Sequence, residues 1–206
     1  MLEKLPDAVG HALRGQRAGL DKTAFQAVDL RAGMAALTVS SLAFVDHAPI
    51  PARYTADGPG LSPPLQWIGV PPDAASLALI VEDADAPTPQ PLVHAIVVGL
   101  EGALPSADNE GSDLRVGRNS YLQAAWLPPD PPPGHGVHRY AFQLFALTAG
   151  ATFDGTPGRD AVLAAIKEHG LASGCLIGTY ERPDASIKTP VDADAAPSGP
   201  GPRLAI

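Results

Sequence analysis

The sequence contains a single cysteine among its 206 residues, so no disulfide can form within the chain. No apolar run approaches the ~18 residues of a membrane-spanning helix, and the first residues lack the continuous apolar stretch of a secretory signal. Positive charge is also scarce. The 14 basic residues against 22 acidic ones give a net charge of −8, which argues against general binding to nucleic acid or anionic membranes. We therefore expect a cytoplasmic protein without a membrane span.

Charged residues make up only 17% of the chain, whereas it contains 23 prolines and 21 glycines. Many turns and few long surface helices follow from this composition. The 45% hydrophobic fraction can fill the core of one sizeable domain. We predict a mainly β domain at residues 34–184, a helical extension at 1–33 and a Pro/Ala/Gly-rich tail at 185–206.

Short apolar runs bounded by turn formers predict the strands. Three runs are apolar on both faces, as in central strands covered on both sides, and they span 76–83, 93–100 and 140–147. The remaining predicted elements are strands at 37–44 and 175–181, an irregular or edge segment at 51–72, and a helix at 156–169 with Thr156 as N-cap.

Residues 4–17 predict a short amphipathic helix outside the main domain. Its apolar face consists of Leu5, Ala8, Val9, Ala12 and Leu13. This face either packs on its own domain or forms a homodimer contact, and the sequence leaves both uses open.

Polar side chains collect where the predicted central strands begin or end. Asp83 and Asp85 follow the first strand, and two carboxylates so close need a compensating cation or imidazolium. His94 stands early in the second strand, while His138 and Tyr140 share a face at the start of the third. Two imidazoles and a hydroxyl can hydrogen-bond a phosphate-like oxyanion while Asp83 keeps a histidine protonated. The sequence therefore predicts a small anion-binding pocket.

Other interpretations of these residues stay open. Both aspartates can cap a turn, and a histidine in an apolar strand can be an ordinary core residue. Arg139 points away from His138, so we expect it to form a structural clamp with Asp85. Asp83 with two histidines would also suit a hydrolase or a zinc site. The G-x-S-x-G, H-E-x-x-H and P-loop motifs are absent, however, so we predict no catalysis, metal or other cofactor.

The blocks D-A-D-A-P at 83–87 and P-P-P-G-H-G-V-H-R-Y at 131–140, with His94 between them, resemble the two signature blocks of the phosphatidylethanolamine-binding protein family, in its bacterial branch. Residues 54–58 and 62–71 resemble the segment that precedes them. The resemblance implies a large central antiparallel sheet, with a smaller sheet on one side and a few peripheral helices on the other. It implies ligand-binding roles for seven positions: Asp83, Ala86, Pro87, His94, Pro132, His138 and Tyr140.

Three departures from the family pattern concern this pocket. Ala84 replaces the proline of the usual D-P-D-A-P, Val93 and Ala95 replace aromatic neighbours of the pocket histidine, and Asp130 interrupts the approach to the proline loop. We expect these changes to alter the width of the pocket and its preferred ligand. The resemblance further implies reversible binding of a phosphate- or carboxylate-bearing head group, and regulation of a partner such as a kinase or protease, although no sequence feature identifies that partner.

Overall fold

The structure, a computed structural model, describes residues 6–28, 35–100 and 115–182. Within these residues the α-helices are α1 (Asp7–Leu13), α2 (Ala24–Ala27) and α3 (Arg159–His169), and 3-10 helices span Leu20–Lys22 and Ala52–Tyr54. The strands are β1 (Ala35–Ala36), β2 (Thr38–Ser41), β3 (Leu65–Ile68), β4 (Ser76–Asp83), β5 (Leu92–Leu100), β6 (Arg115–Val116), β7 (His138–Leu147) and β8 (Gly170–Tyr180). The tail predicted at 185–206 lies outside the described residues.

The strands form two sheets. Six of them make a large sheet in the order β1-β8-β7-β4-β5-β6, which is antiparallel except for the short parallel pair of β1 and β8. The strands β2 and β3 form a separate antiparallel pair. The prediction of a mainly β fold with a large antiparallel sheet, a smaller sheet and few helices is confirmed.

The central strands β4, β5 and β7 are apolar on both faces because both faces are covered. On the small-sheet face, Leu79 of β4 packs in one cluster with Trp67 of β3. On the helix face, Ile80 packs in a second cluster with Ile166 of α3 and residues around α2. The three predicted central strands are confirmed, and β4 has the predicted bounds.

The predicted N-cap of α3 is wrong. The helix begins at Arg159, with Gly158 rather than Thr156 at its N-cap. The carbonyl of Pro157 accepts a hydrogen bond from the backbone N–H of Arg118, at 2.8 Å. That carbonyl is therefore held by a neighbouring loop and does not enter the first helical turn.

Two other segments are more regular than their composition suggests. The segment 51–72, predicted as irregular or edge structure, contains a 3-10 helix and the strand β3. The strand β8 begins at Gly170, directly after α3, rather than at residue 175. No helix in the described part of the chain has the length and apolarity needed to cross a membrane.

The predicted N-terminal helix is present over Asp7–Leu13 and packs on its own chain. Gly10 is buried so close to the loop before β7 that a Cβ would overlap the carbonyl oxygen of Pro133. The helix therefore packs on the same domain, but through Gly10, whereas Ala8, Val9 and Ala12 of the predicted apolar face are exposed.

Candidate functional site

His94 is placed by a β-bulge near the start of β5. Val81 of β4 pairs with Ala95, but the next residue, Glu82, pairs with Val93, so His94 is an extra residue in β5. Side chains alternate between the two faces of a regular strand, and an extra residue reverses that alternation locally. The bulge thereby turns His94 from the helix face, where regular alternation would send it, to the small-sheet face.

The ring of His94 is buried among aromatic rings on the small-sheet face. Its centroid lies 5.1 Å from that of Tyr140, edge to face, and 6.2 Å from that of Trp126. Nδ1 lies 2.6 Å from the backbone carbonyl of Leu127 and donates to it, because a carbonyl only accepts. Burial lowers the pKa of His94 and outweighs the raising effect of Asp83, so the ring is neutral near pH 7. Nε2 is then a hydrogen-bond acceptor.

Among the buried polar atoms that have no hydrogen-bond partner in the described part of the protein, three belong to neighbouring aromatic side chains: Nε2 of His94, the hydroxyl of Tyr140 and Nε1–H of Trp126. We call these three residues the His94 group. Burial, followed by the nearby carboxylate of Asp83, raises the pKa of Tyr140 well above its usual value, so the hydroxyl keeps its hydrogen. Buried polar atoms left unpaired cost stability. The group offers a ligand one acceptor, one donor and one hydroxyl that serves as either.

Asp83 and His138 form the second part of the site. Oδ2 of Asp83 lies 2.7 Å from Nδ1 of His138. Nε2 of His138 lies 2.7 Å from Nδ1 of His135, whose own Nε2 lies 2.9 Å from the backbone carbonyl of Leu13 in α1. Both ring nitrogens of His138 are therefore paired within the protein, and its ring stacks on Tyr140 with 6.4 Å between centroids. His138 borders the His94 group through its ring and offers no unpaired nitrogen.

Asp85 and Arg139, predicted as a structural clamp, form a bidentate ion pair. Oδ2 of Asp85 accepts from Nε of Arg139 and Oδ1 accepts from its Nη2, both at 2.7 Å, and Oδ1 also lies 3.0 Å from Nη1 of Arg17. Burial by itself raises the pKa of Asp85, but the two guanidinium groups outweigh it and hold the pKa below the usual value. The clamp fixes the loop after β4 to the start of β7.

The other predicted pocket positions shape the loops that carry the site. Ala86 is buried, and its carbonyl accepts the backbone N–H of Ala18 at 3.0 Å, while Pro87 is half-buried. Pro132 is buried, and its carbonyl accepts the backbone N–H of His135 at 3.1 Å. The first of these hydrogen bonds joins residues 6–28 to the loop after β4, and the second closes a turn within the loop before β7.

The sequence did not predict Arg182 or Trp126 as parts of this region. The buried Arg182 has Nη1 2.7 Å from Asp130 and Nη2 2.8 Å from Asp57. Burial lowers the pKa of Arg182, but hydrogen bonds to the two carboxylates outweigh it and raise the pKa. Asp130, a departure from the family pattern, is therefore a counter-ion for Arg182. Trp126 lies in an irregular loop, where no periodicity marks a residue as buried.

The alternative of a zinc site does not match this geometry. Within residues 6–28, 35–100 and 115–182, no three His, Cys, Asp or Glu side chains are placed to share one metal ion. The two pairings of His138 explain why Asp83 and the two histidines do not converge on one point.

Both the sequence and the fold match known proteins. A family model described as phosphatidylethanolamine-binding protein matches residues 40–181, which is more than half of the chain. The chain belongs to the phosphatidylethanolamine-binding protein family. It is 38% identical over 153 residues to a UPF0098 protein of Methanothermobacter thermautotrophicus, a match that covers 71% of this chain and 99% of the relative. It is 43% identical over 148 residues to UPF0098 protein Rv1910c of Mycobacterium tuberculosis, covering 70% of each.

Solved structures of the family share the fold. The crystal structure of CT736, a phosphatidylethanolamine-binding protein homologue from Chlamydia trachomatis, matches with a TM-score of 0.65 and 34% identity, over 71% of this chain and 98% of that one. Escherichia coli YbcL matches with a TM-score of 0.63 and 24% identity, over 70% and 98%. The family match at 40–181 contains the signature blocks, whereas α1 and α2 lie before it.

Proposed function

We propose that this family member reversibly binds a small phosphate- or carboxylate-bearing head group at the His94 group. The observation that carries the proposal is the set of three buried, unpaired polar atoms on the neighbouring side chains of His94, Tyr140 and Trp126. The pair of Asp83 and His138 borders these rings and tunes the local charge without contacting the ligand through a ring nitrogen. Membership of the family supports a ligand site at these positions.

The hydrogen-bonding capacity of the His94 group specifies the form of the ligand. Trp126 donates a hydrogen bond to an oxygen of the ligand, and Tyr140 donates or accepts a second one. Nε2 of His94 accepts, so the ligand itself must bring a hydrogen to it. A phosphate monoester that retains one hydrogen, or a carboxylic acid, has this combination of groups. The second pKa of a phosphate monoester is about 6, so affinity should fall as the pH rises above that value.

Two isosteric anions test this requirement. Methylphosphonate can carry a hydrogen near neutral pH and methanesulfonate cannot, and we expect calorimetry at pH 6.5 to show at least tenfold tighter binding of methylphosphonate. Equal binding of the two anions would show that His94 takes up a proton instead. If neither anion, nor phosphate, phosphorylethanolamine or acetate, has a saturable effect on the histidine NMR signals, the binding proposal is abandoned.

Removing one hydroxyl tests the location. Tyr140→Phe keeps the ring packing but deletes a hydrogen-bonding group, and we expect it to weaken binding of phosphorylethanolamine about tenfold, the equivalent of ~1.4 kcal/mol. The matched control is Tyr121→Phe, because Tyr121 is half exposed on the loop before Trp126. Equal affinities in the two variants would place the ligand elsewhere.

The proposal assigns no catalytic step to the pocket, and a hydrolase is the alternative. A panel of carboxylic and phosphate esters tests it, because turnover that His138→Ala abolishes would favour hydrolysis.

We also propose that a partner protein, such as a kinase or protease, recognises the pocket. Capture of a partner by the wild type but not by the His94→Ala, His138→Ala double variant would support this role.

The single cysteine supports a reducing, cytoplasmic location, which cell fractionation would test.

A further inference from the structure

Residues 6–28, which we call the strap, lie across both loops that carry the site. The backbone N–H of Ala18 donates to the carbonyl of Ala86 at 3.0 Å, and that of Gly19 donates to the carbonyl of Ala84 at 2.7 Å. These two bonds pair the backbone of residues 18–19 with the backbone of the loop after β4. The strap is therefore fixed to the D-A-D-A-P block by main-chain bonds that no side-chain substitution removes directly.

Arg17 fixes the strap to the second loop. Its Nη1 donates to the carbonyl of Val137 at 2.7 Å and lies 3.0 Å from Oδ1 of Asp85, and its Nη2 donates to the carbonyl of His135 at 3.2 Å. One guanidinium group thus joins the D-A-D-A-P block to the P-P-P-G-H-G block. Together with the backbone bonds, it makes the strap a bridge between the two signature blocks.

The helix α1 approaches the second loop at backbone contact distance. Nε of Arg14 donates to the carbonyl of Gly134 at 3.2 Å. At Gly10 a Cβ would overlap the carbonyl oxygen of Pro133 and crowd the backbone nitrogen of His135. Only glycine fits there without moving the helix or the loop, so this contact offers a way to lift α1 with one methyl group.

The strap also determines where the hydrogens lie in the row of histidines. The carbonyl of Leu13 can only accept, so Nε2 of His135 carries a hydrogen. Burial, followed by the charge of His138, lowers the pKa of His135, so the ring is neutral near pH 7 and its Nδ1 accepts. Nε2 of His138 must then donate, and Nδ1 is left to face Asp83. With the ring of His135 neutral, the directions of the bonds from His135 to Leu13 and from His138 to His135 follow from a single carbonyl at the end of α1.

We propose that the strap is a working part of the binding site, and that His135 is a positioning residue that, anchored by Leu13, holds the hydrogen on Nε2 of His138 and fixes that ring beside the ligand. The strap lies outside residues 40–181, so the family model does not describe this arrangement. Its effect on ligand affinity rests on the proposed function, whereas its effect on the hydrogen of His138 does not.

The test compares Gly10→Ala with Gly15→Ala in the full chain. A Cβ at Gly15 meets no atom within 4 Å, so Gly15→Ala controls for the change of glycine to alanine near the end of α1. In histidine-labelled protein, we expect the wild type and Gly15→Ala to show a slowly exchanging Nε2–H signal from His138, and Gly10→Ala to lose it. Phosphorylethanolamine should bind at least fivefold more weakly to Gly10→Ala, because the ordering of the loop is lost.

Arg17→Gln provides a second variant if Gly10→Ala does not fold. It leaves α1 unchanged and removes the charged bridge, so the Nε2–H signal of His138 should exchange faster than in Gly15→Ala. An unchanged Nε2–H signal of His138 in Gly10→Ala would overturn the proposal. If Gly10→Ala does not fold, an unchanged signal in Arg17→Gln would overturn it. Tighter binding of phosphorylethanolamine to Gly10→Ala would also overturn it. If phosphorylethanolamine binds none of the proteins, the proposed function fails and the exchange of this hydrogen alone decides the role of the strap.

Discussion

Oε1 of Glu82 lies 2.6 Å from Nε of Arg159 on the helix face of β4. Glu82 is fully buried, and its Oε2 accepts from Nε2 of Gln143 at 2.9 Å and from the backbone N–H of Ala24 in α2 at 2.7 Å. Two successive residues of β4 therefore have separate tasks. Glu82 anchors the second half of the strap on the helix face, and Asp83 belongs to the candidate site on the small-sheet face.

Removing the charge of Glu82 should loosen this anchor. We expect Glu82→Gln to lower the free energy of unfolding by about 3 kcal/mol, because Arg159 loses its buried counter-ion. Urea unfolding measures the effect, and amide hydrogen exchange should become faster at Ala24. The control is Glu168→Gln, whose carboxylate is 77% exposed and should contribute less than ~0.5 kcal/mol. Equal effects of the two substitutions would contradict the anchor.

The clamp around Asp85 makes a similar prediction for the loops. Asp85→Asn leaves Arg139 and Arg17 without a counter-ion, and we expect a loss of about 2 kcal/mol in the free energy of unfolding. The control, Asp154→Asn, changes an exposed residue and should have little effect. A stability loss below ~0.5 kcal/mol for Asp85→Asn would mean that the guanidinium groups find other partners.

The neutral ring of His94 makes stability fall on acidification. Burial lowers its pKa in the folded protein below 6.5, the value expected for the unfolded chain. As the pH falls below 6.5, His94 becomes protonated in the unfolded chain while it stays neutral in the folded protein. The free energy of unfolding therefore falls by up to about 1.4 kcal/mol per pH unit. Thermal unfolding between pH 7.5 and 5 should show a shallower decline for His94→Gln. Identical declines would indicate that the folded ring takes up the proton.

Cys175 should be chemically inert in the folded protein. Burial, with the carboxylates of Asp46 and Glu82, raises the pKa of its thiol to about 12. At pH 8 only a fraction on the order of 10⁻⁴ is then the reactive thiolate. Mass spectrometry should show alkylation by iodoacetamide roughly a thousandfold slower than in urea-unfolded protein. Complete labelling of the folded protein within minutes would contradict this burial.

The parts of the site that follow local alternation could be predicted from the sequence. Asp83, the last residue of β4, pairs directly with Tyr140 of β7. His138 shares the face of Tyr140 because the two residues are two apart in β7. The same alternation sends Arg139 the other way, toward Asp85. The two-residue period of a strand and the hydrophobic pattern are sufficient to predict on which face each of these side chains lies.

The parts that depend on register or on distant segments could not be predicted in this way. The orientation of His94 depends on which residue of β5 pairs with Glu82, and single-strand alternation gives the opposite face. The bond from His135 to Leu13 joins residues 122 positions apart. The sequence contains the histidine but no local signal for the carbonyl that orients it. The spacing of apolar residues predicted the N-terminal helix, but no sequence pattern indicated which part of the domain it contacts.

The bulge in β5 makes the pocket vulnerable to a kind of mutation that substitution scanning never samples. Loss of one residue between Leu92 and Ala95 would restore regular pairing with β4 and return the imidazole to the helix-side core, even if every pocket residue were still present in the chain. Whether a related chain retains the candidate site should therefore be judged from single-residue insertions and deletions at this strand as carefully as from the identity of the histidine.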